Sequence, residues 1–201
     1  LHINSCLLLF LLLPTFVLAQ SQNHATNHSQ ASTPSKLKVG SPTRIVILGD
    51  SLSEGYGLKK ELSYPFLAQK KLNDSGYKVE IQDASISGST SSSLNGRLNW
   101  IFQMKPEIVF ITIGSNDGLR GIDISVMKTN IKTAIKRLKE NKIQVWLAGM
   151  QVPPNYGKKY SNDFAQVFGE IAKEENIPLM PFLLKDVAGV RQYNQPDQIH
   201  P

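Results

Sequence analysis

Ser51 closes the segment Arg44-Ile45-Val46-Ile47-Leu48-Gly49-Asp50-Ser51, an apolar run that stops at three turn-forming residues. A buried strand ending this way presents a serine at a tight turn, although Gly-Asp-Ser is by itself also an ordinary turn sequence. A serine hydroxyl becomes a nucleophile when a base takes its proton. Histidine is the usual base, and the chain has four, His2, His24, His28 and His200. The first three precede the patterned part of the sequence, so either His200 activates Ser51 or no imidazole takes part. Asp197 stands one turn before His200. At that spacing a carboxylate can orient the ring and stabilise its cation, though Asp-x-x-His alone is also a plain turn. Acyl transfer further needs donors where the carbonyl oxygen becomes an anion. Candidates are the backbone N–H of Ser51, that of Gly88, where no side chain blocks close approach, and the side-chain amide of Asn116. Read alone, Gly88 is equally a turn glycine and Asn116 an Asx turn. Asp50 and Asp117 read as carboxylates that brace their loops by accepting backbone N–H groups.

The elements that must position these residues alternate. Strands are expected at 44–48, 78–82, 108–113, 143–148 and near 178–182. Between them, helices are expected from Ser63, as cap, to about Asn73, from Ser92 to Phe102, from Asp123, as cap, and from about Tyr160 to Glu175. The third helix carries the apolar stripe Ile124, Met127, Ile131, Ile135 and Leu138, with lysines opposite. Alternation of this kind predicts an α/β fold, a parallel sheet with helices on both faces. Groups that work in such sheets lie beyond the carboxyl ends of the strands, where strand order reverses. The loops Gly49–Ser53 and Gly114–Asp117 follow the first and third strands, and a flavodoxin-like order sets them on either side of one crevice.

The ends of the patterned region are read from composition. Leu7 to Ala19 is an uncharged apolar run of 13 residues, short for a membrane span of about 20. Residues 1–19 read as a secretory signal peptide with a small-residue cleavage site before Gln20, the competing reading being an uncleaved anchor. Residues 20–42 are polar and read as a disordered linker; His24 and His28 within it are at helical spacing, but nothing else there favours a helix or a metal site. The domain is expected over 43–201. Its only cysteine, Cys6, lies in the signal, so the mature chain has no disulfide and no cysteine metal site. The expected location is the bacterial periplasm or outside the cell. The net charge is +6, with Lys128, Lys132, Lys136 and Lys139 on a helix face. That reads as a solvated surface, with weak attraction to anionic membranes at most, and carries no nucleic-acid signature. Glycine patterns for nucleotide phosphates are also lacking. Oligomeric state is not legible.

Four blocks occur in order: Gly49-Asp50-Ser51-Leu52-Ser53, Gly88, Gly114-Ser115-Asn116-Asp117 and Asp197-x-x-His200. Together they resemble the SGNH/GDSL hydrolases, over nearly all of the chain from about residue 43. The segments Leu52–Tyr56, Asn116–Gly121 and Pro154–Tyr160 look like the bacterial arylesterase, acyl-CoA thioesterase and lysophospholipase branch. The resemblance implies a three-layer flavodoxin-like fold of about five parallel strands. It implies Ser51 as nucleophile, Asp197 and His200 as the rest of a triad, and Ser51, Gly88 and Asn116 as an oxyanion hole. It implies no cofactor, no metal, and a small-molecule or lipid acyl ester or thioester as substrate. Gly118, Leu119 and Ile122 would border the acyl pocket, with Pro153, Pro154 and Tyr156 on the opposite wall.

Two departures stand out. The third block usually reads Gly-Gly-Asn-Asp in that branch, and Ser115 replaces its second glycine. Relatives also continue past the His-Pro step into a loop and last helix of roughly 25 residues, the size of one loop–helix unit, so the 201-residue chain is expected to lack a helix covering one sheet face. Two other functions are weighed against the esterase: a glycan O-deacetylase, disfavoured by sparse aromatic platforms (Tyr56, Tyr156, Tyr160), and a catalytically silent binding module, disfavoured by the full set of reactive residues.

Overall fold

The structure, a computed structural model, describes residues 40–201. The expected signal peptide, Cys6, His24, His28 and the linker up to residue 39 lie outside the described residues. Five parallel strands, β1 (Thr43–Gly49), β2 (Val79–Asp83), β3 (Ile108–Thr112), β4 (Gln144–Ala148) and β5 (Leu179–Met180), form one sheet in the order β2-β1-β3-β4-β5. This is the flavodoxin-like order, and it reverses between β1 and β3.

The hydrophobic runs explain which strands are central. In β1, Ile45, Val46, Ile47 and Leu48 are all buried, and in β3 so are Ile108, Val109 and Ile111. A strand apolar on both faces must be covered on both. Four longer helices connect the strands: α2 (Tyr64–Asp74), α3 (Leu94–Gln103), α5 (Ile124–Glu140) and α6 (Lys158–Glu174). The β1-to-β2 crossover runs one way along the sheet and the later ones run the other. Right-handed crossovers therefore set α2 on one face and α3, α5 and α6 on the other. Helix α5 packs between α3 and α6. Its stripe enters the core at Met127, Ile131, Ala134, Ile135 and Leu138, with Ile124 only partly covered. Phe164 and Phe168 of α6 meet edge-on at 5.5 Å and are fully buried beside them.

Local corrections are small and physical. Asp123 does cap α5, accepting from Ser125 N. Ser63 stands at the start of α2 but does not cap it, because its hydroxyl donates backwards to Lys60 O at 2.8 Å. The last strand shrinks to two residues. The lysine face of α5 is not simply solvated: Lys128 pairs with Glu170 and Glu174 of α6, and Lys132 with Glu174. Exposed pairs of this kind contribute roughly 0–1 kcal/mol each.

Candidate active site

Two one-turn helices that sequence periodicity does not reveal carry the site. Helix α1 (Ser51–Glu54) begins directly after β1, capped by Asp50, whose Oδ1 accepts the Leu52 N–H at 3.0 Å. Helix α4 (Ser115–Leu119) begins in the same way after β3. Both therefore start beyond the carboxyl ends of the adjacent central strands. α1 is held from beneath by its Ser53 hydroxyl, which hydrogen-bonds Thr112 Oγ1 of β3 at 2.6 Å and Tyr64 OH of α2 at 2.7 Å. Burial pushes the Tyr64 phenol up to about 12, so it stays protonated and remains able to donate. Burial likewise raises the Asp50 carboxyl, against donation from Ser115 Oγ, Leu52 N–H and the Asn116 amide.

Above α1 the described residues place three side chains in a line. His200 Nε2 is 2.9 Å from Ser51 Oγ, and His200 Nδ1 is 2.7 Å from Asp197 Oδ2. A carboxylate only accepts, so Nδ1 carries the proton and Nε2 faces the serine as acceptor. Asp197 Oδ1 also accepts the backbone N–H groups of Ile199 and His200. The His200 backbone bond, then its imidazole and the Ile199 N–H, hold the Asp197 carboxyl down at about 2. The four residues Asp197–His200 thus form a turn held by three bonds to one carboxylate.

The His200 loop is fastened at Gln195. Its N–H donates to His200 O at 2.7 Å, and its Nε2 donates to Tyr56 O at 2.7 Å and Pro201 O at 3.0 Å. The Tyr56 ring lies 4.7 Å from the imidazole. The Ser51 loop and the His200 loop are thereby joined side by side.

The expected oxyanion donors come from three elements, α1, the turn at Gly88 and α4. Gly88 lies in the Ile86–Ser89 turn, closed by Ser89 N–H to Ile86 O at 3.1 Å, with the φ of +75° that favours glycine. Among the described residues, the N–H groups of Ser51 and Gly88 have no acceptor, and Asn116 Nδ2 has only a long 3.5 Å contact with Asp50. Each of the three thus keeps an N–H without an acceptor among the described residues. Asp117 braces this arrangement: it is fully buried and accepts both Ser91 N–H at 2.9 Å and Ser91 Oγ–H at 2.6 Å, tying α4 to the segment after Gly88. Ser115, the departure in the third block, donates to Asp50.

The residues expected to border the acyl chain are adjacent. Tyr156 OH donates to Leu119 O at 2.9 Å and Tyr160 OH to Ile122 O at 3.3 Å, so the 118–122 and 153–156 segments are bonded to one another. Gly118 is buried at this seam, where an added Cβ would sit 2.8 Å from Phe164 Cζ. Pro153 and Pro154 are exposed and lead into Tyr156. A shallow groove of about 550 Å³ lies beside this seam, lined by Tyr156, Gly157, Lys158, Lys159, Tyr160 and Asp163.

A family model described as the GDSL-like lipase/acylhydrolase family matches residues 47–201. The chain belongs to this family. As a GDSL hydrolase it is a carboxylic ester hydrolase on the SGNH fold. It is 39% identical over 158 residues to esterase TesA of Pseudomonas aeruginosa, covering 78% of this chain and 79% of that protein. To thioesterase 1/protease 1/lysophospholipase L1 of Escherichia coli K12 it is 34% identical over 158 residues, covering 78% and 74%. Among solved structures it resembles the psychrotrophic esterase EstA from a Pseudoalteromonas species, inhibited by monoethylphosphonate, at 37% identity and a TM-score of 0.75, covering 79% and 87%.

Four residues of this GDSL hydrolase escape a reading of its sequence. Gln195, Glu54, Ser115 and Arg120 all hold the site through hydrogen bonds to partners distant in the chain. No residue pattern announces such contacts, although Ser115 is visible as a departure. The Asp197 turn also makes a prediction. Its depressed carboxyl contributes stability in full above the ordinary aspartate value near 4, and that contribution is lost as pH falls toward about 2. The melting temperatures of wild type and Asp197→Asn are expected to differ by a constant amount above pH 5 and to converge by about pH 2. A difference that widens in acid would contradict this.

Proposed function

We propose that the chain is an exported serine esterase that cleaves fatty-acyl esters and thioesters through an acyl-enzyme on Ser51. The reading rests on one observation, the continuous hydrogen-bond line Ser51–His200–Asp197. In it, His200 Nε2 takes the Ser51 proton as Oγ attacks the acyl carbonyl, and Asp197 stabilises the imidazolium that forms. The tetrahedral oxyanion is met by the Ser51 and Gly88 N–H groups and the Asn116 amide. His200 then returns the proton to the departing alcohol or thiol. Water repeats the sequence, releasing the fatty acid and restoring Ser51. Leu119 and Ile122 supply the apolar wall for the acyl chain, braced from behind by Tyr156. Export rests on the apolar run Leu7–Ala19. The charge of +6 supports no more than weak contact with anionic membranes.

A fluorophosphonate probe tests the core of this reading. It is expected to form one covalent adduct, at Ser51, and an absent adduct would refute the assignment. A series of p-nitrophenyl esters run beside acyl-CoA and lysophospholipid then fixes the substrate. Turnover is expected to rise from acetyl to medium-length chains. A sharp preference for acetyl esters would favour deacetylation instead.

A further inference from the structure

We infer that Glu54 and Arg120 are positioning residues that set the geometry of the oxyanion hole. The inference rests on the catalytic reading above and adds two side chains to it.

The Gly88 donor is on the weakest part of the site. Ile86, Ser87 and Gly88 are all exposed. The turn's own closing bond and the Ile86 N–H to Gly49 O bond, at 3.2 Å, are its near backbone anchors. A displacement of about 1 Å would take the Gly88 N–H out of reach of an oxyanion. Two charged side chains reach across to this turn. The Glu54 carboxylate accepts the Ser87 N–H at 2.7 Å and the Ser87 hydroxyl at the same oxygen. The Arg120 guanidinium donates to Gly88 O at 3.0 Å. One grips the peptide before the donor N–H and the other the peptide after it.

What these side chains are attached to gives the contacts their meaning. Glu54 is the last residue of α1, one turn after Ser51. Arg120 closes α4, its N–H bonded to Asn116 O at 3.1 Å. Each strut therefore links the Gly88 turn to an element bearing another donor. Ser51, Gly88 and Asn116 become the corners of a triangle whose movable corner is braced to both others. Among the described residues, neither the Glu54 nor the Arg120 side chain makes any other hydrogen bond. Hydrogen bonds to ionised groups are the stronger kind, which suits a brace exposed to water.

An oxyanion donor acts on the transition state and not on the bound ester, so loosening it lowers kcat and spares KM. Removing one donor outright costs about 10²–10³ in kcat. Loosening it through one strut is expected to cost about 5–20-fold, for Glu54→Ala and for Arg120→Ala, and about 100-fold for the double variant. KM should stay within about two-fold. Glu54→Gln retains an acceptor oxygen for Ser87 and should recover most of the loss. The experiment measures kcat, KM, melting temperature and the rate of fluorophosphonate labelling in all these variants. A fall in kcat and in labelling rate, with KM and melting unchanged and rescue by glutamine, supports the inference. Wild-type kcat in the double variant, losses that track melting, or a glutamine variant no better than alanine would overturn it. Failure of the wild type itself to label at Ser51 would instead bring down the catalytic reading.

Discussion

Ser51→Ala is expected to lower kcat for p-nitrophenyl ester hydrolysis by about 10⁶-fold, the scale seen when a triad serine is removed. The fold should persist. Ser51 is only partly buried, and its neighbours Asp50 and Ser53, not Ser51 itself, carry the contacts that hold α1 in place. The melting temperature is therefore expected to move by no more than a few degrees, since a change away from buried contacts is usually within about 0.5 kcal/mol. Residual turnover above the water reaction should remain, because three free donors still favour the oxyanion. A variant with wild-type turnover, or one that unfolds, would contradict this account.

His200→Ala is expected to cost about as much, near 10⁶-fold, because serine and histidine of a triad act as one unit. The described residues after 42 hold no second histidine, so no other imidazole among them can take over as base. Combining the two changes should add almost nothing to either. Such non-additivity is the signature of one proton relay, whereas two independent contributions would multiply. High concentrations of imidazole offer a further check. The ring that leaves a gap beside Tyr56 and Asp197 is expected to be replaced in part by the free base, restoring activity to His200→Ala but not to Ser51→Ala.

The sequence made the sheet legible because its central strands are buried on both faces. Ile45–Leu48 and Ile108–Ile113 leave no ambiguity of period, and the loops that follow them carry the reactive residues. The four motif blocks are legible for a different reason, since chemistry restricts residue type at each. Helices α1 and α4 were not, because a single helical turn has no repeat to detect. Ser63 misled as a cap because its hydroxyl had a nearer carbonyl, that of Lys60. The pairing of Lys128 and Lys132 with α6 depends on how two helices lie together, which charge patterning along one helix cannot reveal. The struts at Glu54 and Arg120 are contacts between loops, and they exist only once the sheet has brought three strand ends together.

The bond between Ser51 and His200 spans 149 positions of chain. That separation makes the contact a late one to form. A nascent chain that has reached β5 already holds Ser51, Gly88 and Asn116, and yet it lacks His200. Contacts so distant in sequence form slowly, because the intervening chain must first lose its freedom. Recovery of esterase activity during refolding should therefore lag behind recovery of helix content. An unfinished molecule would remain without esterase activity.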